Sequence, residues 1–270
     1  MDKGRGMTPV EAADALRWLI DMGADEAAAD APFDRLHEMR PDPMPSPASA
    51  PPKLEVRTLA SRTTPVDAAI GDAAEVARGC RSLAEIEAAL RQFEACPLKR
   101  TATNLVFADG NREARVMLIG EAPGREEDEQ GKPFVGRSGQ LLDRMLAAIG
   151  LSRRAADPAT SVFITNVIYW RPPGNRKPTE AETLMCLPFV ARTVELLNPR
   201  FIVCLGATPT QRLLGTTAGI LKLRGSWREF RNIPVLATLH PAYLLRQPAQ
   251  KRLAWRDLLD LRRRLDAPGP

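Results

Sequence analysis

The sequence predicts an α/β domain built on a parallel sheet, and three observations carry that prediction. Four short apolar runs, at residues 116–119, 162–165, 201–205 and 235–239, are each bounded by turn residues. Runs of this length with no polar alternation are the pattern of strands buried on both faces. Amphipathic segments of helical period separate them, and strand–helix alternation with right-handed crossovers builds an α/β sheet.

In chain order, the first element is a helix. Thr8 and Pro9 read as N-cap and first helical position, and Glu11 takes the capping-box position. Ala12, Leu16, Trp18, Leu19 and Met22 recur at roughly helical spacing, and Gly23 stops the helix. Six prolines fall within residues 41–52, with Ser and Ala between them, which is the composition of an extended linker. Residues 53–72 show little periodicity. A second helix starts near Ser82, carries Leu83, Ile86, Leu90 and Phe93 on one side, and stops before Cys96-Pro97. After the first strand, residues 138–149 place Leu141, Leu142, Met145, Leu146 and Ile149 on one face, with Gly150 as the C-terminal stop. Further helices are expected over 180–197 and 208–214, and a basic amphipathic helix over 249–265 closes the chain.

A length of 270 residues allows one medium or two small domains, with a core that needs no disulfide or metal to hold it. No run of about 18 apolar residues exists, so no membrane span is expected. The first residues have no apolar stretch behind them and do not read as a signal peptide. Four widely spaced cysteines suit a reducing, cytoplasmic setting. The net charge of +5 conceals an asymmetry: residues 1–80 hold nine basic and fourteen acidic side chains, and residues 81–270 hold 29 and 19. We therefore expect an acidic extension over 1–78 and a basic domain over 79–270. The basic surplus points to a polyanionic partner such as nucleic acid. The extension reads either as a poorly ordered tail with one helix or as a tether that docks through Trp18, Leu19 and Met22.

Ligand sites of open α/β sheets lie beyond the carboxyl ends of the strands. The first strand runs into Gly120-Glu121-Ala122-Pro123-Gly124 and then Arg125-Glu126-Glu127-Asp128. The glycines permit close backbone approach. The acidic cluster, and the lack of a following Gly-Lys-Ser/Thr, rule out a phosphate-binding loop. Glu121 stands at the mouth of the cleft. Phe134, between Pro133 and Gly136, is either a lid over the core or a stacking platform for a flat ring. Asn166, at the end of the second strand, offers one acceptor and two donors that can read a base edge. His240 ends the fourth strand and is the one histidine of the basic part, since the other is His37. Tyr243, Leu244, Leu245 and Arg246 follow it, apolar side chains beside a cation, the combination that enters a base stack.

Five motifs in unbroken order carry a resemblance: Gly120-Glu121-Ala122-Pro123-Gly124, Pro133-Phe134-Val135-Gly136, Thr165-Asn166, Arg171-Pro172-Pro173-Gly174-Asn175-Arg176, and His240-Pro241-Ala242-Tyr243-Leu244-Leu245-Arg246. Over about residues 93–265 the chain resembles the uracil-DNA glycosylase superfamily, most nearly its family 4, whose members usually carry an iron–sulfur cluster. The resemblance implies a three-layer α/β/α fold around a four-stranded parallel sheet. It implies a monomeric enzyme that excises uracil from single- or double-stranded DNA. By position, Glu121 and His240 match catalytic residues, with Glu127 a second acidic residue near the reaction. Gly120, Ala122, Phe134 and Asn166 match the uracil pocket, where Phe134 stacks and Asn166 rejects cytosine. Arg137, Ser138, Arg171, Asn175, Arg176, Tyr243, Leu244, Leu245 and Arg246 fall where DNA contacts are expected, with Leu244 and Leu245 as the wedge.

The chain departs from the family at the cluster. Cys96 and Cys186 match two of the four ligand cysteines, whereas Phe93 and Trp170 stand at the other two. Cys80 lies sixteen residues before Cys96, and Cys204 sits inside a strand as a small apolar residue. A [4Fe–4S] cluster takes four thiolates, so none is expected here, nor any other metal. The stretch 171–182 is short and lacks histidine, unlike the branch that becomes trapped on uracil-DNA, so turnover is expected. Two other functions remain open: a glycosylase for hypoxanthine or xanthine as well, and a damage-binding protein without catalysis.

Overall fold

The computed structural model describes residues 65–267; the N-terminal helix and proline-rich linker read from the sequence lie outside the described residues. Fifteen elements follow: α1 (Pro65–Gly79), α2 (Leu83–Gln92), β1 (Ala108–Gly110), β2 (Val116–Gly120), α3 (Arg125–Gln130), α4 (Arg137–Ala147), β3 (Val162–Asn166), α5 (Glu180–Leu197), β4 (Phe201–Leu205), α6 (Ala207–Leu214), α7 (Ile220–Leu223), β5 (Trp227–Phe230), β6 (Ile233–Thr238), α8 (Pro241–Arg246) and α9 (Lys251–Asp266). No described helix is long and apolar enough to cross a membrane.

The strands form one sheet in the order β1-β3-β2-β4-β6-β5. The four central strands are parallel and correspond to the four apolar runs. The expected four-stranded sheet is thus widened to six, because β1 and β5 add antiparallel edges. Neither edge has the signature of a buried strand. β1 is Ala-Asp-Gly, and β5 is half exposed and joins β6 through a tight turn in which Arg231 and Asn232 both have positive φ. A left-handed pair of this kind matches the twist of a two-residue hairpin.

Period-two alternation divides the sheet's side chains between two cores. Met117, Ile119, Phe163, Ile202, Cys204 and Val235 face a layer built from α1, α2 and α5. Val116, Leu118, Val162, Ile164, Phe201 and Val203 face Leu142 and Leu146 of α4 and Leu258 and Leu261 of α9. The result is the three-layer sandwich.

By its internal contacts the chain divides into units of residues 1–58 and 59–270, and the second carries every motif. Helix α1 packs against α5, with Ala73 and Ala77 in the core, and Arg192 of α5 donates twice to the Cys80 carbonyl, at 2.9 and 2.8 Å. Its buried seam is made of alanines, which carry too little hydrophobic contrast to register as a periodic face.

Candidate functional site

The chain leaves β2 to form β3 on one side and later β4 on the other, so a crevice opens between the carboxyl ends of β2 and β4. A cleft of about 630 Å³ lies there. The end of β2 contributes Glu121, Ala122 and Gly124, and β3 contributes Asn166. Leu205, Gly206 and Ala207 come from the end of β4, and His240 follows β6. The cleft thus gathers Glu121, Ala122, Glu127, Phe134, Ser138, Asn166, Asn175, Arg176, His240, Tyr243 and Arg246 from residues singled out in the sequence.

Asn166 forms the polar floor. It is 2 % exposed, and its Oδ1 has no hydrogen-bond partner. A buried acceptor left unpaired costs roughly 1–3 kcal/mol, which a ligand donor would recover. The glycine at 120 makes room above it. A Cβ there would lie 2.4 Å from Asn166 Oδ1 and 2.6 Å from the Phe134 ring.

Phe134 lines the cleft beside His240. Its ring is buried and lies 5.5 Å from the His240 ring at a 31° tilt. Its φ is 55°, left-handed for a bulky residue, a conformation costing about 1–3 kcal/mol and persisting only where neighbours enforce it. Glu127 Oε1 accepts the N–H groups of Val135 and Gly136, each at 3.0 Å, and its Oε2 accepts Gly124 N–H at 3.1 Å. Gly139 supplies a second constraint: a Cβ there would meet the Phe134 carbonyl oxygen at 1.8 Å, so only glycine lets α4 start against this loop.

The Glu127 carboxylate thus meets three backbone donors, one of them the N–H of Gly124, the N-cap of α3. It holds the Gly120–Gly124 turn and the Phe134 loop together.

Glu121 is partly buried, and the Thr208 hydroxyl donates to its Oε2 at 2.6 Å. Thr208 lies in the first turn of α6, outside every motif of the sequence. The bond orients the carboxylate toward the cleft.

His240 is the N-cap of α8, with Pro241 at the first helical position. Its Nδ1 accepts Ala242 N–H at 3.1 Å. In the neutral ring the proton is therefore on Nε2, which makes that nitrogen a donor. Burial lowers the His240 pKa to about 4; the Arg246 cation adds to the drop and the Glu127 charge opposes it. The ring is therefore neutral at physiological pH. Between about pH 4 and 6.5 the unfolded chain binds a proton at this residue that the folded one refuses, so its contribution to stability grows as pH rises through that window. Denaturant unfolding at pH 4.5 and 7 is expected to show a smaller pH difference for His240→Gln than for the unsubstituted chain.

The wedge reading is corrected at Leu244. It is 0 % exposed and packs with Leu141, Leu239 and Ala254, because the helical turn of α8 directs it inward. Leu245 is partly buried against the same cluster, and Arg246 is exposed and lines the cleft. Arg137 is exposed at the start of α4. Arg171 donates to Asn175 Oδ1 at 2.7 Å, and Arg176 makes a two-pronged ion pair with Glu182, at 2.9 and 2.6 Å, while staying 44 % exposed.

The residues at the family's cluster positions do not fit a cluster. Phe93 stacks edge-on against Phe189 at 5.2 Å, and Trp170 against Tyr169 at 6.2 Å, all within the buried core. Cys96 and Cys186 are fully buried partners. The hydrogen bond to Cys96, with burial, holds the Cys186 thiol well above its ordinary range, so it keeps its proton. Burial pushes Cys204 up to about 12. Among the described residues no three His, Cys, Asp or Glu side chains gather where they could hold a metal.

The chain is similar to known proteins of one family. The model of the uracil DNA glycosylase superfamily matches residues 107–259. The Type-4 uracil-DNA glycosylase of Thermotoga maritima is 41 % identical over 161 residues, covering 58 % of this chain and 80 % of that protein. The Type-4 uracil-DNA glycosylase of Archaeoglobus fulgidus is 40 % identical over 177 residues, covering 62 % and 85 %. That of Pyrobaculum aerophilum is 37 % identical over 184 residues, covering 65 % and 91 %.

Proposed function

The chain belongs to the uracil DNA glycosylase superfamily, and on that premise we propose that it is a uracil-DNA glycosylase that hydrolyses the N-glycosidic bond of deoxyuridine in DNA. The observation that carries this reading is the buried, unpartnered Oδ1 of Asn166 beneath Phe134. Uracil presents an N3–H donor beside the O4 acceptor, and an asparagine amide complements both.

The target base leaves the stack and enters the cleft, at a cost of a few kcal/mol. Phe134 stacks on the ring, and Asn166 reads its N3–O4 edge. The C1′–N1 bond then breaks with its electron pair moving to uracil, and a water oxygen bonds to C1′. One proton of that water ends on uracil or in solvent. His240 Nε2–H donates to the pyrimidine O2, where negative charge develops. Glu121, oriented by Thr208, favours the cationic sugar and polarises the water. Arg137, Ser138, Arg171, Asn175, Arg176, Tyr243, Leu245 and Arg246 line the path of the strand. The basic surplus makes affinity fall steeply with salt. In this reading the protein acts as a monomer in the cytoplasm, on single- or double-stranded DNA, and turns over rather than remaining attached.

The reading is tested by incubating the protein with single- and double-stranded oligonucleotides containing one deoxyuridine and cleaving abasic sites with alkali. Strand cleavage that is strongly reduced in Glu121→Gln supports it. No cleavage by the unsubstituted chain defeats it.

We further propose that the protein folds and acts without an iron–sulfur cluster, with Phe93 and Trp170 filling that volume by aromatic packing. Protein purified anaerobically is expected to hold no stoichiometric iron or sulfide and to lack the visible absorbance of a cluster. About four irons per chain would contradict this.

A further inference from the structure

Glu127 secures only the N–H side of the Phe134 loop. The carbonyl side is secured by Arg153, a residue outside the cleft that no motif includes. Its Nη1 donates to the Pro133 carbonyl at 2.9 Å, and its Nη2 to the Phe134 carbonyl at 3.0 Å. The guanidinium is itself fixed on two sides. Asp143 of α4 receives Nε at 2.8 Å, and Asp109 of the edge strand β1 receives Nη1 at 3.1 Å. The side chain is only 8 % exposed, so these bonds are shielded from competing water. A planar fork fits this arrangement and an ammonium does not, because two carbonyls and two carboxylates must be met at fixed angles.

We propose that Arg153 is a positioning residue that holds Phe134 in its left-handed conformation, and so sets how tightly the cleft stacks a pyrimidine base. The loop is gripped from both edges of its peptide groups: a carboxylate takes the N–H groups and a guanidinium takes the carbonyls. Release of the carbonyl side lets Phe134 relax toward negative φ, which swings the ring away from its place beside His240. The anchors also give β1 a task. This short edge strand carries Asp109 to the back of the loop.

The inference rests on the uracil reading of the cleft, and its test separates the two. Affinity for free uracil, followed by saturation-transfer NMR, reads the platform without any chemistry. Affinity for abasic-site DNA reads the backbone contacts. Arg153→Met is expected to weaken free-uracil binding about tenfold, the order of one impaired stacking contact. Excision should fall by at least as much, with abasic-DNA affinity within about twofold. Arg153→Lys, which keeps charge toward Asp109 and Asp143 but loses the fork, should lie between and carries the test if Arg153→Met fails to fold. A folded Arg153→Lys that matches the unsubstituted chain in both uracil affinity and excision overturns the proposal. So does a fall in excision without a change in uracil affinity, and so does an unsubstituted chain that binds no uracil. An unsubstituted chain that binds uracil but never excises it defeats the glycosylase reading alone.

Discussion

Asn166→Ala is expected to lower single-turnover excision of uracil by about 10³-fold, with affinity for abasic DNA within about twofold. The size follows from what the substitution leaves behind. Asn166 is buried at the end of β3, and its neighbours in the pocket are the bare Gly120 backbone and the Phe134 ring. An alanine there offers no donor for O4 and no acceptor for N3–H, and both base atoms have already lost water on entering the cleft. Buried polar groups left unpaired are what give such sites their strong discrimination. Cytosine presents the inverted pattern, an N3 acceptor beside an amino donor, and meets two mismatches while the Asn166 amide keeps its Oδ1 toward N3. The unsubstituted protein should therefore ignore cytosine. Gly120→Ala should also abolish excision, by filling the base-edge space rather than removing a partner. Rapid-quench kinetics on a uracil oligonucleotide measures both variants.

His240→Ala is expected to reduce the chemical step by about 10²–10³-fold, the loss associated with one preorganised donor to a developing anion. The geometry specifies which donor. Nδ1 is occupied by the Ala242 N–H, so the donor that His240 can offer to the cleft it lines is Nε2–H. Burial and Arg246 keep the ring uncharged, so on the proposed reading the stabilising group is a neutral imidazole. Two consequences distinguish this from imidazolium catalysis. The rate should show no His240 titration between pH 6 and 8, because its pKa is about 4. His240→Gln, which can offer an amide N–H, should retain more activity than His240→Ala. A rate that rises as pH falls through 6.5 would require the charged ring and would contradict the assignment.

The parallel strands and most helices are legible in the sequence because their apolar runs are strong and their caps are local. Thr179 and Glu182 cap α5, Ser82 caps α2, and Gly150 follows α4. The strand-end residues Glu121, Asn166 and His240 are legible for the same reason: strand ends point at the cleft. The supporting residues are not. Thr208 meets Glu121 across 87 positions, and Arg153 meets Asp109 across 44. Nothing local marks a threonine in a first helical turn, or an arginine after a glycine turn, as a partner of either. Glu127 is legible as acidic and nearby, yet its task depends on three N–H groups whose directions only the folded loop sets. Leu244 misleads in the opposite way. Its motif suggests a wedge, but the six-residue helix that begins at Pro241 turns it into the core. The cluster positions are legible as substitutions, and the edge-on packing of Phe93 on Phe189 supplies the physical content of the change.

The measurement that bears most directly on the central claim is the identity of the released base. The protein is mixed with a large excess of oligonucleotide carrying one deoxyuridine, and the small-molecule fraction is analysed by mass spectrometry. Matched strands carry deoxycytidine or thymidine at the same place. Free uracil is expected in amounts exceeding the enzyme, with neither cytosine nor thymine from the controls. Absence of free uracil, or release of all three bases alike, would contradict it.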